Sequence, residues 1–266
     1  MPELLEFDKL HNTRDLGNMQ TIHGGRIKEG KLIRSGHLFR MSEEDKTKME
    51  TMVDTVIDFR TKEERQEKPD VVMNGIFYYP IIIMDRLVAG VTREEEADQR
   101  ASRLFLEQPE SAKEYMCNMY RSFAEESAVE GYARFFQHLL KRKEKATLWH
   151  CTAGKDRAGI AALLVEEILE AKKEEIIADY LATNDYIKQE VEAIKQHLMG
   201  DESVDKKAAD RALSYLFGAR KEYLDCYYDE INNKFGSFQN FVEQGLCLSA
   251  SDVEKLREIY LREEVL

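Results

Sequence analysis

The segment that most constrains the fold is residues 147–170, TLWHCTAGKDRAGIAALLVEEILE. A short apolar run, a tight loop and a longer apolar run follow one another, which predicts a buried strand, a turn and a buried helix. Together with the β-rich runs that precede it, this unit predicts an α/β fold, in which helices cover a sheet. Cys151 stands at the predicted turn, and Arg157 follows six residues later.

The predicted loop is suited to bind an anion. The first N–H groups of a helix lack partners within the helix and lie at the positive end of its dipole, so such a loop binds phosphate. The same field favours thiolate over thiol, which makes Cys151 a candidate nucleophile. Arg157 supplies a planar fork for two phosphate oxygens. We expect Thr152, Ala153 and Gly154 to add backbone N–H groups, with Gly154 permitting a close approach.

The remainder of the chain continues the α/β pattern and then becomes helical. Short β-rich runs alternate with polar helical segments in the N-terminal third, and capping boxes predict helix starts after Ser42, Thr61 and Ser249. The nearly continuous apolar run at residues 76–84 predicts a strand covered on both faces, although Pro80 indicates an edge or a bulge. We therefore expect a central, mostly parallel sheet flanked by helices.

A charged helical stretch at about residues 86–127 interrupts this pattern. Its apolar side chains recur at helical spacing, which fits either a helix packed on the core or a lid over a pocket. After residue 160 nearly the whole chain has a helical pattern. The sequence thus predicts a single domain over residues 1–266, with a helical insertion and a helical C-terminal part.

Composition narrows the class of function. The chain has 51 Asp and Glu against 39 Lys and Arg, a formal charge of −12, which repels nucleic-acid backbones and anionic lipids at long range. No run approaches the ~18 apolar residues of a membrane span, so we expect neither nucleic-acid binding nor stable membrane insertion. Four widely spaced cysteines without a C-x-x-C pair indicate neither a zinc site nor a disulfide framework. Without a secretory signal pattern, we expect a cytoplasmic protein.

Residues 150–157, HCTAGKDR, resemble the signature loop of cysteine-dependent protein tyrosine phosphatases, especially a bacterial group of tyrosine and lipid phosphatases with a Gly-Lys-Asp-Arg loop. Residues 12–17, 33–38, 56–61 with Glu64 and Arg65, and 218–248 are also similar to that group. The resemblance implies a phosphotyrosine phosphatase-like fold and a phosphomonoester hydrolase that acts through a phosphocysteine intermediate without a metal or cofactor. It implies phosphorylated protein or phosphoinositide substrates and a loop that binds a phosphate or sulfate ion.

The resemblance also suggests roles for other residues. Ester cleavage needs a proton for the leaving oxygen, and two aspartates compete as donor. Asp156 lies in the loop, where the bacterial group is thought to carry its acid, and Asp85 follows the apolar run 76–84; we favour Asp156. His150 either tunes the thiolate or fills the end of the strand. Lys155 resembles the lysine of phosphatases that accept phosphoinositides, or else it points to solvent.

Two pairs of charged residues upstream of the loop complete the predicted surroundings of the site. Asp58 with Arg60, and Arg14 with Asp15, are expected to form buried ion pairs that hold strands near the loop rather than to bind substrate.

Ala158 departs from the family pattern, which usually has Thr or Ser after the loop arginine. A hydroxyl there can donate to the cysteine sulfur and help it leave in the second, hydrolytic step, so we expect that step to be slow.

The alternative to an active hydrolase is a catalytically weak phosphate-binding module, a pseudophosphatase. Arsenate reduction or sulfur transfer is a further alternative, which the wide spacing of the cysteines disfavours.

Overall fold

The computed structural model describes residues 2–84, 105, 107–141, 144–199 and 205–262. The strands are β1 (Glu3–Leu4), β2 (Arg14–Asp15), β3 (Arg26–Ile27), β4 (Leu32–Ser35), β5 (Val53–Asp58), β6 (Phe77–Pro80), β7 (Ala146–His150) and β8 (Leu261–Arg262). The helices are α1 (Glu43–Met52), α2 (Lys62–Glu67), α3 (Pro109–Ser122), α4 (Glu126–Leu139), α5 (Arg157–Ile168), α6 (Lys173–Tyr186), α7 (Lys188–Met199), α8 (Lys206–Phe217), α9 (Lys221–Phe235), the short α10 (Phe238–Asn240) and α11 (Ala250–Tyr260). A π-helical turn (Phe241–Gly245) follows α10.

Six strands form the central sheet in the order β1, β2, β4, β7, β5, β6. Strands β4, β7, β5 and β6 run parallel to one another, whereas β1 and β2 add antiparallel pairings at one edge. Strands β3 and β8 form a separate antiparallel pair. The predicted fold class, a mostly parallel sheet flanked by helices, is confirmed.

The sheet is buried on both faces because its central strands alternate between two apolar clusters. Ile57 and Trp149 pack with the helices of the larger cluster, while Val56 and Leu148 belong to the smaller one. Successive side chains of a strand point to opposite faces, so a strand covered on both sides has few polar positions. All five residues of β7 are buried, which accounts for the apolar run before the loop.

Strand β6 differs from its prediction. It lies at the edge of the sheet, as Pro80 indicated, but it is not covered on both faces, because Phe77 is 60% exposed and no residue of the strand is fully buried. An edge strand has a neighbour on one side alone, so its side chains meet fewer partners than those of β7. The apolar run at 76–84 therefore overstates the burial of this strand.

Capping boxes start three helices at the predicted places. The hydroxyls of Ser42, Thr61 and Ser249 each accept from a backbone N–H three residues on, and the carboxylate at that third position accepts from the cap N–H. The C-terminal part of the described chain is helical, as expected. None of the helices in the described ranges combines the length and the apolar character that a membrane span requires.

The described part of the helical insertion packs on the core. Helix α3 buries Met116, Met119 and Tyr120 and contacts α8 and α9. Of the two interpretations of its apolar face, this packing matches the core helix for α3. Asp85, one of the two candidate acids, lies outside the described residues. Residues 86–104 and residue 106 of the insertion do so as well.

Candidate active site

The loop between β7 and α5 carries the predicted nucleophile. Cys151 directly follows the last residue of β7 and is 3% exposed, and α5 begins at Arg157. Gly154 has φ +69°, a left-handed conformation, and a Cβ there would lie 2.6 Å from the carbonyl oxygen of Ser35. Glycine is therefore required for the loop to pass so close to the end of β4. Asn12 also fixes the loop, because its side-chain amide donates to the carbonyl of Ala153 at 2.9 Å.

Arg157 is held by a carboxylate. Its Nη1 and Nη2 donate to the two carboxylate oxygens of Glu64 at 2.7 and 2.8 Å, and the hydroxyl of Thr152 donates to Glu64 Oε1. Burial disfavours the charged guanidinium, but Glu64 outweighs this and raises the pKa of Arg157. Burial also works against the Glu64 carboxylate, whose pKa is nevertheless lowered by Arg157 and Thr152. The buried Nε of Arg157 has no hydrogen-bond partner within the described ranges, so it remains available to an anion.

Sequence reasoning did not find this role of Glu64. The box after Thr61 indicated a helix start, and Glu64 indeed accepts the Thr61 N–H at 2.8 Å. The same carboxylate turns its remaining lone pairs toward Arg157. No local pattern distinguishes a capping carboxylate with this second partner from one exposed to solvent.

Lys155 points into the protein, and Asp156 turns its Oδ1 toward the same interior. Asp156 Oδ1 accepts from the hydroxyl of Tyr120 at 2.7 Å and lies 3.5 Å from Lys155 Nζ. Lys155 is 3% exposed and donates to the carbonyl of Leu216 at 2.7 Å. Burial lowers the pKa of Lys155, and the nearby Asp156 opposes that shift. The idea that Lys155 points to solvent is wrong, because the ammonium has two buried partners.

Beneath the loop lie Asp58, Arg60, Asp70 and His150, which we call the Arg60 cluster. Arg60 Nη2 lies 2.8 Å from a carboxylate oxygen of Asp58 and of Asp70, which confirms the predicted pairing of Asp58 with Arg60. His150 Nε2 lies 3.1 Å from Asp70, and its Nδ1 lies 3.2 Å from the carbonyl of Cys151. Burial disfavours the charged ring, but Asp70 and Asp58 prevail and raise the pKa of His150.

The Arg60 cluster contains the one group of metal-type ligands in the described part of the chain. Ligand atoms of Asp58, Asp70 and His150 lie within 4.8 Å of one another. Arg60 already bridges the two carboxylates, so its guanidinium supplies the positive charge that they need. The arrangement fits an ion-pair network that supports the loop.

On the opposite side of the loop lie Arg14, Arg34 and Asp179, which we call the Asp179 cluster. Arg14 Nε donates to Asp179 Oδ1 at 2.6 Å, and Arg34 Nη1 donates to Asp179 Oδ2. Arg34 Nη2 donates to the carbonyl of Gly154 at 2.8 Å. All three side chains are fully buried. The cluster therefore fixes the backbone of the loop from the interior.

The predicted pairing of Arg14 with Asp15 is wrong. Neighbouring residues of a strand point to opposite faces of the sheet, so Arg14 reaches Asp179 on α6 while Asp15 faces away from it. Asp15 accepts the backbone N–H groups of Gly17 and Gly30 at 2.9 and 2.6 Å. It stabilises a turn rather than an ion pair.

Comparison with known proteins agrees with this geometry. A family model described as "Tyrosine phosphatase family" matches residues 5–262. The chain belongs to this family. The match confirms the resemblance on which the loop was interpreted, and it confirms the predicted kind of enzyme, a protein tyrosine phosphatase.

Individual relatives span most of the chain. A Cupriavidus necator protein, provisionally named a tyrosine-protein phosphatase, is 29% identical over 260 residues, which cover 97% of this chain and 88% of that protein. The triple specificity protein phosphatase PtpB of Mycobacterium tuberculosis is 24% identical over 277 residues, covering 94% and 96% of the two chains. A tyrosine-protein phosphatase of Nostoc commune is 27% identical over 168 residues, 58% of this chain and 49% of that protein.

Proposed function

We propose that this phosphatase hydrolyses phosphotyrosine in proteins through a phosphocysteine intermediate, without a metal or cofactor. The observation that carries the proposal is the loop 151–157. There Cys151 follows β7 and begins the loop that leads into α5. Glu64 holds the guanidinium of Arg157, whose Nε has no hydrogen-bond partner in the described ranges. Helix N-terminus and guanidinium together stabilise a thiolate and a bound phosphate.

In the first proposed step, the thiolate of Cys151 attacks phosphorus. The S–P bond forms as the bond between phosphorus and the tyrosine oxygen breaks, and Asp156 gives its proton to that oxygen. Arg157 and the loop N–H groups hold the other phosphate oxygens, on which charge accumulates. Tyrosine leaves as the neutral phenol.

In the second proposed step, water attacks the phosphocysteine. The Asp156 carboxylate takes a proton from the water, the new P–O bond forms, and the S–P bond breaks. Inorganic phosphate and the Cys151 thiolate are the products, and Asp156 is protonated for the next cycle. Both steps need the sulfur and the carboxyl group near the same phosphate, and Cys151 and Asp156 belong to the same loop.

The position of Lys155 supports phosphotyrosine as the preferred substrate. A lysine that recognised additional phosphates of an inositol ring would have to present its ammonium to the ligand. Here the ammonium donates to the Leu216 carbonyl and lies beside Asp156 in the interior. The Mycobacterium tuberculosis relative is named a triple specificity phosphatase, so we include phosphoserine and phosphothreonine peptides as secondary substrates to be measured.

We also propose that residues 1–266 form one domain in the cytoplasm. Pairing of β3 with β8 joins the N-terminal and C-terminal parts of the chain, and helix α3 of the insertion packs on α8 and α9. A reducing compartment suits a catalytic thiolate, because it protects the sulfur from oxidation.

Hydrolysis of p-nitrophenyl phosphate in the presence of EDTA tests the proposal, with wild type and Cys151→Ser compared at equal folded concentration by circular dichroism. We expect activity in wild type that EDTA leaves unchanged and none above background in Cys151→Ser. Activity that survives in Cys151→Ser, or that EDTA abolishes in wild type, would contradict the proposal. A panel of phosphotyrosine, phosphoserine and phosphothreonine peptides and phosphoinositides then ranks the substrates.

A further inference from the structure

A chain of hydrogen bonds that the steps above do not use ends on Asp156. Tyr120 on α3 donates its hydroxyl to Asp156 Oδ1 at 2.7 Å, and the hydroxyl of Tyr180 on α6 lies 2.5 Å from that of Tyr120. Tyr120 has one O–H and gives it to the carboxylate, so Tyr180 must be the donor in the second bond. The two tyrosines are 0% and 1% exposed, which makes this a buried, directed chain from Tyr180 to Asp156.

Both tyrosines are suited to be permanent donors. Burial and the neighbouring charge of Asp156 raise the pKa of Tyr120 and of Tyr180 well above the usual range. Each phenol therefore keeps its proton at neutral pH. Their rings also pack edge to face, with centroids 6.2 Å apart, so the packing that buries them restricts their rotation.

The chain determines which oxygen of Asp156 carries the transferable proton. Oδ1 accepts the Tyr120 hydroxyl and lies 3.5 Å from the Lys155 ammonium. An oxygen that faces two donors is a poor site for a proton, so the proton of the acid form resides on Oδ2. Rotation of the carboxyl group about its last bond would exchange the two oxygens, and the Tyr120 hydrogen bond opposes that rotation.

We propose that Tyr120, held by Tyr180, is a positioning residue that directs Asp156 Oδ2 toward the leaving oxygen. This inference rests on the proposed role of Asp156 as general acid. It also gives the insertion a part in the reaction, because α3 supplies Tyr120 from 36 residues before Asp156. Neither tyrosine touches the substrate in this account; both act through the orientation of the carboxyl group.

The test compares substrates that differ in their need for a proton. Phenyl phosphate has a poor leaving group, which requires protonation, whereas 2,4-dinitrophenyl phosphate has a good one, which does not. We compare kcat/KM because it reports phosphoryl transfer to the sulfur and is insensitive to a slow second step. For Tyr120→Phe we expect a loss of about tenfold on phenyl phosphate and about twofold or less on 2,4-dinitrophenyl phosphate. Tyr180→Phe should also lower kcat/KM more on phenyl phosphate than on 2,4-dinitrophenyl phosphate, but by a smaller factor.

Tyr227→Phe is the matched control. Tyr227 is a fully buried tyrosine on α9 whose hydroxyl has no hydrogen-bond partner in the described part of the chain. Removing that hydroxyl should leave the ratio of the two kcat/KM values unchanged. Equal losses of Tyr120→Phe on both substrates would show a merely structural role and overturn the inference, and circular dichroism and urea unfolding establish that each variant is folded.

Asp156→Asn separates the inference from the proposed function. If Asp156 is the acid, Asp156→Asn lowers kcat/KM on phenyl phosphate more than Tyr120→Phe does. Adding Tyr120→Phe to Asp156→Asn then leaves the ratio of the two kcat/KM values unchanged. If Asp156→Asn affects both substrates equally, Asp156 is not the acid and the inference falls with that role. If Asp156→Asn is selective and neither tyrosine variant is, the acid assignment stands and the positioning role is wrong.

Discussion

The two buried ion-pair clusters that hold the loop differ in how they share charge. In the Arg60 cluster one guanidinium has two carboxylates, Asp58 and Asp70, with His150 beside them. In the Asp179 cluster one carboxylate serves two guanidiniums, which stand opposite each other on neighbouring strands. Loss of one carboxylate leaves Arg60 with a partner in the first cluster, whereas loss of Asp179 removes the carboxylate that hydrogen-bonds both Arg14 and Arg34.

The clusters also differ in what they contact. The Arg60 cluster touches the Cys151 carbonyl through His150, and the adjacent Glu64 holds the side chain of Arg157. The Asp179 cluster reaches the loop through its backbone, at the carbonyl of Gly154. One side thus positions the charged side chain of Arg157, and the other positions the backbone of the loop.

The largest expected effect tests whether the two clusters differ in how they share charge. Asp179→Asn removes the carboxylate that both Arg14 and Arg34 contact, which should lower the free energy of unfolding by about 3–5 kcal/mol. Asp70→Asn leaves Arg60 paired with Asp58 and should cost about 1–2 kcal/mol. Urea unfolding of both variants checks this, and an equal cost would show that the clusters do not differ as described.

The second prediction concerns catalysis and compares the two contacts with the loop. Glu64→Gln keeps the shape of the side chain but removes the charge that holds Arg157, so kcat/KM should fall about 100-fold. Arg34→Lys keeps the positive charge but loses the fork that reaches Gly154, and kcat/KM should fall about tenfold. Steady-state kinetics on p-nitrophenyl phosphate measures both. The reverse order would mean that loop shape matters more than the position of the guanidinium.

The third prediction concerns acid sensitivity beside the Arg60 cluster. The backbone N–H of His37 donates to the Thr152 carbonyl, and burial lowers the pKa of its ring to about 4, with Arg40 and Arg60 contributing. The unfolded chain binds a proton near the ordinary value of about 6.5 and the folded chain does not, so stability falls as pH drops through that window. Between about pH 7 and about pH 5 this should remove about 2 kcal/mol of unfolding free energy from wild type.

His37→Asn is the variant that isolates this histidine from the other titrating groups. This variant should not lose stability through residue 37 on acidification. Its unfolding free energy relative to wild type should therefore rise as the pH falls from about 7 to about 5. Urea titrations of both proteins at each pH measure the difference. A difference between the two proteins that does not change with pH would show that His37 does not titrate in this way.

The smallest expected effect concerns the step after phosphoryl transfer. Ala158 is fully buried at the start of α5, and a threonine there would offer a hydroxyl to the sulfur as it leaves. Wild type should show a burst of p-nitrophenol followed by slow turnover, and Ala158→Thr should raise the steady rate about two- to fivefold. Stopped-flow absorbance measures both phases; an unchanged or lower steady rate in a folded variant would contradict the idea.

Sequence patterns predicted the features that short stretches of chain encode. The strand, loop and helix around Cys151, the capping boxes and the pairing of Asp58 with Arg60 each depend on residues a few positions apart. The burial of β6 was overestimated because an apolar run does not tell whether a strand has one neighbour or two.

The contacts that support the loop from the interior could not be predicted in this way. Arg14 meets Asp179 across 165 residues, and Tyr120 meets Asp156 across 36. Such pairs depend on how helices pack on the sheet, and side-chain periodicity shows that Tyr120 is buried without showing what it touches. Lys155 likewise faces inward because the carbonyl of Leu216, far along the chain, accepts from it.

The most direct test of the phosphocysteine route is to acid-quench wild type during turnover of p-nitrophenyl phosphate in EDTA and to locate added phosphoryl groups by peptide mass spectrometry. We expect one phosphoryl group on the peptide that contains Cys151, and none on that peptide in Cys151→Ser. A phosphoryl group on any other residue of the active enzyme, or turnover with an unmodified Cys151 throughout the burst, would contradict it.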